Sequence, residues 1–183
     1  MTRVYAAAAV ALSTMALAAC GGSAKGTPLG GGSQGAAQAM YQAAQPLVEA
    51  GTPPSSGGSV VVKGAHGGTA TLTYTQSTSA GPNNVYVTIA YDNFNWDGVD
   101  TYNGTLAAGT HFLTGSMQVD FEGSLAISGA VSDSLAITVT QTISSSTGTT
   151  TVNLSGNIAT TTVQYNYSNQ NFSFSGADAL PKS

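Results

Sequence analysis

Asn93, Asn95, Asp97 and Asp100 are the residues whose types and spacing come nearest to a binding chemistry. In Asn93-x-Asn95-x-Asp97-Gly98, side-chain oxygens recur at alternate positions before a glycine turn, the pattern of the first half of a calcium loop. Such a loop closes with a bidentate Glu at its twelfth position, and that position is Gly104 here. The flanks alternate as strands instead of repeating as helices, so a polar hairpin turn built from Asn, Asp and Gly accounts for the stretch. If an ion binds this chain, it binds here; the reading expects neither metal nor cofactor. Phe94 and Trp96 in the same stretch offer ring surface on which a sugar or another apolar ligand could stack.

Three further groups invite a catalytic reading. His66 and His111 lie beside Gly67 and Gly109, in expected turns, and neither has a second His or a Glu at ligand spacing. Asp120 and Glu122 share a strand face and could imitate the paired carboxylates of a glycoside hydrolase. Alternation explains them more simply: Met117, Val119 and Phe121 point inward, which turns Asp120 and Glu122 toward water. Gly31-Gly32-Ser33-Gln34-Gly35 matches the G-x-S-x-G nucleophile elbow. That motif works on a strained turn between a strand and a helix, and here no strand precedes it. None of these groups makes a catalytic set, and the reading is of a chain that is not an enzyme.

Composition narrows the partners. Charged residues are 7% of the 183, against about a quarter in ordinary domains. The basic residues are Arg3, Lys25, Lys63 and Lys182, so 64–181 contains no Lys or Arg. Nucleic-acid binding needs a basic face to neutralise phosphates, and this chain has none. Any polar surface must be made of Ser, Thr, Asn and Gln.

The start of the chain addresses it. Arg3 precedes a charge-free run over 4–19 that is rich in Ala, ending in Leu17-Ala18-Ala19-Cys20. A charged start, a short apolar core and a small-residue end make a secretory signal peptide, and the run is too short for the roughly 20 apolar residues of a membrane span. The ending resembles the lipobox of bacterial lipoproteins. The resemblance implies that Cys20 becomes the first mature residue and carries diacylglycerol, with a further acyl chain such as palmitate. Cys20 is also the sole cysteine, so no internal disulfide competes for it. Cleavage leaves three lysines against eight acids, a net of about −5. Gly21 in the second mature position resembles the outer-membrane sorting pattern.

The remaining segments must position whatever the domain does. Residues 20–57 read as a lipidated flexible tether, Gly- and Ser-rich over 20–32, with a short amphipathic helix over 33–50. Ser33 is its expected cap, Ala37, Met40, Tyr41, Ala44, Leu47 and Val48 its one apolar stripe, and Pro46 is expected to end or kink it near Gln45. From residue 58 to 183 the period becomes two, as in Val85/Val87/Ile89/Tyr91 and Leu135/Ile137/Val139. That is antiparallel sheet with one buried face. Breaks are expected at Gly67-Gly68, Gly81-Pro82-Asn83, Asp97-Gly98, Ala108-Gly109 and Thr147-Gly148. Tyr102-Asn103-Gly104-Thr105-Leu106-Ala107 is repeated as Phe121-Glu122-Gly123-Ser124-Leu125-Ala126, and more loosely as Leu154-Ser155-Gly156-Asn157-Ile158-Ala159. Glycine on the apolar face of successive strands would kink each and curve the sheet. The expected fold is all-β: an antiparallel meander of eight to ten strands, curved or half-barrel, with one N-terminal helix.

The expected function is that of a membrane-anchored envelope lipoprotein, in the outer membrane, with a non-catalytic binding or structural β domain. Two other readings share the fold: a carrier of lipid or another apolar ligand with the helix as lid, and an adhesive, self-assembling module, since over 64–181 no lysine can guard an edge strand.

Overall fold

The computed structural model describes residues 26–54, 57–75, 84–113, 116–146, 149–174 and 178–183. The signal segment and Cys20, and the turns expected at Gly81-Pro82-Asn83 and Thr147-Gly148, lie outside the described residues. Helix α1 (Gly32–Ala50) is followed by β1 (Gly58–Lys63), β2 (Gly67–Thr75), β3 (Asn84–Asn95), β4 (Asp100–Leu113), β5 (Ser116–Gly129), β6 (Asp133–Ser146), β7 (Thr149–Ala159) and β8 (Gln164–Phe174). The eight strands form one antiparallel sheet in chain order. The meander stays open, since β1 and β8 do not pair, and α1 packs against both of these edge strands and against β2 and β7.

Alternation sets which face is buried. The register places Leu72 opposite Ile89, Ile89 opposite Leu106 and Ile137 opposite Ile158, all inward and fully or almost fully buried. Between them the repeat glycines do what the sequence pattern asks. Gly104, Gly123 and Gly156 all have positive φ and stand on the inner face of β4, β5 and β7. At Gly123, φ is +146° and an added Cβ would lie 2.4 Å from the Thr105 carbonyl oxygen, so a neighbouring strand closes over the space a side chain would fill. Shifts in register beside Gly104 (between Tyr91 and Phe94) and beside Gly156 bend the sheet at the same places.

The helix departs from its expected form in four ways. It is buried on almost every side, not along one stripe, with Ala36, Ala37, Ala39, Met40, Ala43 and Ala44 entirely out of solvent. Alanine's small radius lets the curved sheet approach the helix from several directions, so α1 is part of the core of the fold. It starts at Gly32, and the cap position is Gly31 with φ 71° and no side-chain bond, so Ser33 does not cap it. It runs through Pro46 to Ala50, because burial of Pro46 and Leu47 outweighs the hydrogen bond that proline removes. Two of its glutamines, Gln42 and Gln45, are buried and bonded: Gln42 accepts from the Tyr102 hydroxyl at 2.9 Å and donates to Asp178 O at 2.7 Å, and Gln45 donates to Tyr41 O.

The spacer is also shorter than expected. Thr27 pairs with Val131 and Leu29 with Lys182, and Gly30 N–H donates to Pro181 O at 2.8 Å. Residues 26–30 are thus part of the fold, at the end that also carries the β1–β2, β3–β4, β5–β6 and β7–β8 turns. Ala108-Gly109 is not a turn either, since β4 runs straight through it. Gly67-Gly68 opens β2 with a bulge, and Val163 sits exposed in the β7–β8 turn instead of in a strand.

Thr110 and Gln141 break the apolar pattern of the inner face. Gln141 on β6 is fully buried between Val119 and Leu154, with no partner for either polar atom of its amide. An unanswered buried amide costs roughly 1–3 kcal/mol. Gln141→Leu is therefore expected to raise stability by about 1–2 kcal/mol in urea titrations; a loss would show that the amide is bonded. Gly123→Ala should lose about 2–4 kcal/mol through strain and overlap. Gly109→Ala, whose Cβ would meet only the Tyr86 ring at 3.5 Å, should change stability by less than about 1 kcal/mol. Equal losses at the two glycines would mean that the kink plays no special part.

Candidate functional site

The outer face of the sheet carries a trough of about 640 Å³ reaching from β2 to β7. Register explains its shape. Tyr86 on β3 stands opposite Gly109 on β4, Gly109 opposite Asp120 on β5, Asp120 opposite Thr140 on β6, and Thr140 opposite Ser155 on β7. The next outward row runs Thr88, Ala107, Glu122, Thr138. The small β4 residues Ala107 and Gly109 make a floor between the Tyr86 ring on one side and two carboxylates on the other. Tyr86 is 46% exposed, one of the few large apolar groups the domain shows to water.

Asp120 and Glu122 point outward, as alternation requires. His111 does not sit in a turn. It lies on β4, and its Nε2 is 3.4 Å from Asp120 Oδ2 across the β4–β5 ladder. Asp120 Oδ1 also accepts a 2.6 Å hydrogen bond from the Thr140 hydroxyl. This contact missed detection in the sequence because the glycine beside His111 looks like a turn signal, and only continuity of β4 brings the two residues together. A catalytic triad needs a hydroxyl facing the imidazole. Here the Thr140 hydroxyl faces the carboxylate.

The loop between β3 and β4 keeps its candidate oxygens for itself. Asn93 N–H donates to Asn103 Oδ1 at 2.9 Å. Asn95 Oδ1 accepts from Gly98 N–H at 2.7 Å, and Asp97 Oδ1 accepts from Val99 and Asp100 N–H at 2.9 and 2.8 Å. Asp100 is fully buried, with Oδ1 accepting from Val131 N–H at 2.7 Å. These bonds build the hairpin turn, and they occupy the oxygens a calcium ion would use; only Asp97 Oδ2 and Asp100 Oδ2 stay buried without a protein partner. Among the described residues no group of three or more His, Cys, Asp or Glu is placed to hold a metal. Phe94 is fully buried, its ring stacked on Trp96 at 6.4 Å and edge-on to Tyr91 at 6.0 Å, so it belongs to the core and offers a ligand no surface. His66 stays in the β1–β2 turn, packed over Gly98. The G-x-S-x-G stretch forms the start of α1, without a strand before it.

Asp133, which no motif singles out, ties three distant segments together. Its carboxylate accepts from Ser134 N–H, Thr161 N–H, the Thr161 hydroxyl and Leu29 N–H at 2.6–3.1 Å. Its partners lie up to 104 residues away, so no local signal could reveal it. Burial alone would raise its pKa, but these four bonds together outweigh burial and hold it below the usual carboxylate range. Asp100 goes the other way: burial, aided by the nearby Asp97 charge, raises it against the bonds from Val131 and Ala130.

No known protein family, no curated protein and no solved structure matches this chain.

The two aspartates give opposite pH dependences. Asp133, lowered in the fold, contributes stability that is present above about pH 4 and is lost as pH falls through its folded pKa. Asp100, raised in the fold, favours the folded state most below about pH 4, and that contribution is lost as pH rises through its folded value. Thermal midpoints should therefore peak near pH 4, with Asp100→Asn flattening the neutral side and Asp133→Asn the acid side. A wild-type profile level from pH 4 to 7 would show that Asp100 is not buried against its charge.

Proposed function

We propose that this chain is a lipid-anchored protein of the cell envelope, in the outer membrane, whose β domain is a non-catalytic binding module with the outer-face trough as its ligand site. The observation that carries the reading is the short interval between the lipobox cysteine and the fold. Only residues 21–26 separate Cys20 from Thr27, which pairs with Val131. The seven steps between them extend to at most about 25 Å. A lipid on Cys20 would hold the turn-bearing end of the domain at the membrane surface. Several acyl chains, each methylene contributing about 0.8 kcal/mol, make such attachment near-permanent.

The trough suits that arrangement. Tyr86 is near the start of β3 and His111 near the end of β4, both toward the end of the sheet opposite Gly26. Anchoring at Cys20 therefore leaves the trough directed away from the bilayer, open to the envelope space. The carrier reading is less well supported, because it needs an apolar hollow on the inner face. There the helix stands, with the Tyr91 hydroxyl donating to Ala43 O and the Tyr167 hydroxyl to Ser33 O.

Intact mass of the protein extracted from membranes is the direct test of the anchor. A chain beginning at Cys20 with the added mass of a diacylglyceryl group and a further acyl chain is expected, with both lost in Cys20→Ala. An unmodified soluble chain cut after Ala19 would make this a secreted β protein and end the anchored reading.

A further inference from the structure

We infer that the trough takes an uncharged carbohydrate chain laid across β3 to β7. The inference rests on the reading of the trough as a ligand site and goes on to name what the site recognises.

Charge sets the first limit. The walls hold Asp120 and Glu122, and 64–181 contains no Lys or Arg, so an anionic ligand would meet only like charge. A cationic ligand is disfavoured for a different reason. Both oxygens of Asp120 already have partners, the Thr140 hydroxyl at 2.6 Å and His111 Nε2 at 3.4 Å, so a cationic group would have to compete with them for this carboxylate. It can still accept from a hydroxyl, since each carboxylate oxygen has two acceptor sites. Thr75, Thr88 and Thr138 add hydroxyls, which can act as donor and acceptor, while the hydroxyls of Thr140 and Ser155 already donate to Asp120 and Asn169 and can offer a ligand only an acceptor. A sugar hydroxyl has the same dual character and can be matched either way round.

Shape sets the second limit. Adjacent strands are about 4.8 Å apart, so the four steps from Tyr86 to Ser155 span roughly 19 Å, longer than one sugar ring. The floor of Ala107 and Gly109 is low enough to admit a flat ring, and the half-exposed Tyr86 ring beside it gives the C–H face of a sugar an apolar surface. An apolar platform with a few convergent polar groups is the usual make-up of a small-molecule site. Glu122 and the hydroxyls of Thr88 and Thr138 supply those groups.

The test uses the full-length protein in detergent micelles, titrated calorimetrically with maltohexaose, cellohexaose and chitotetraose, and in parallel with spermine and hexalysine. At least one oligosaccharide should bind. Tyr86→Ala, Glu122→Gln and Gly109→Leu should each weaken that binding by about tenfold or more, as the loss of one good contact does. Gly109→Leu fills the floor where an added Cβ has ordinary room, and Glu122→Gln changes an exposed group, so the two variants guard against a Tyr86→Ala protein that misfolds. Oligosaccharide binding unchanged in all three variants would place the sugar elsewhere and overturn the inference. Binding of spermine or hexalysine alone, lost in Glu122→Gln, would overturn the carbohydrate class while keeping the trough as a binding site. No binding by any probe would overturn the inference and the trough as a site together. The mass of Cys20 reports separately on the anchor, so a lipidated protein that binds nothing keeps its place in the envelope and loses its proposed ligand.

Discussion

The structure depends on a sheet that must bend around a helix made largely of alanine. Alanine contributes little area of its own, so α1 gains its stability from how closely the strands approach it and not from bulk. Close approach in turn obliges the inner face to answer the polar groups it covers. Three tyrosines do so, from β3, β4 and β8: Tyr91 bonds the Ala43 carbonyl, Tyr102 the Gln42 side chain and Tyr167 the Ser33 carbonyl. Burial pushes all three phenols well above their ordinary range, so each keeps the proton it donates. A ring on the sheet and a carbonyl on the helix thereby fix the spacing between them.

The scarcity of cations shapes the rest. Residues 64–181 hold no Lys or Arg, yet Asp100 and Asp133 are both buried there, with only the charge of Lys182 acting on Asp100 from outside that stretch. Asp133 is supported by backbone N–H groups and one hydroxyl drawn from the N-terminal segment and two turns. Those donors are fixed by the fold, so the carboxylate holds the segments together as firmly as they hold its charge. Asp100 receives fewer bonds and stands near another carboxylate, and its pKa rises accordingly. The two residues lie at the same end of the domain and differ in how many donors reach them and in the charge nearby.

Much of this was legible in the sequence because most of the contacts are between chain neighbours. A meander pairs each strand with the next, so the two-residue period and the glycine repeat carry nearly all the information needed for the sheet. What escaped has physical reasons. Alanine does not reveal whether it faces water or core, so α1 read as a surface helix with one stripe. Pro46 and Gly109 are local breakers overruled by packing and by strand pairing. Ser33 gives way as a cap because the helix already begins at Gly32, with the left-handed Gly31 in the cap position. The loop oxygens at Asn95 and Asp97 looked available only because their partners are backbone N–H groups, which carry no mark in the sequence. The trough itself could not be read, since it requires knowing that Tyr86, Gly109 and Asp120 share one row.

The glycines finally separate what the fold needs from what it merely allows. At Gly123 the backbone is left-handed and a neighbouring carbonyl closes over the missing Cβ, so the position is fixed by the curvature of the sheet. Gly109 lies in extended β4 with ordinary room above it and only the Tyr86 ring nearby. Strand pairing gains nothing from glycine there, and a larger residue would pack against Tyr86 and cover apolar area. The fold is therefore no more stable for having a hollow at this place. A depression that the architecture does not require, floored by the smallest residues and walled by an exposed ring, two carboxylates and hydroxyls, is the feature of this domain that folding alone leaves unexplained, and recognition of a ligand is the physical role that such a surface fits.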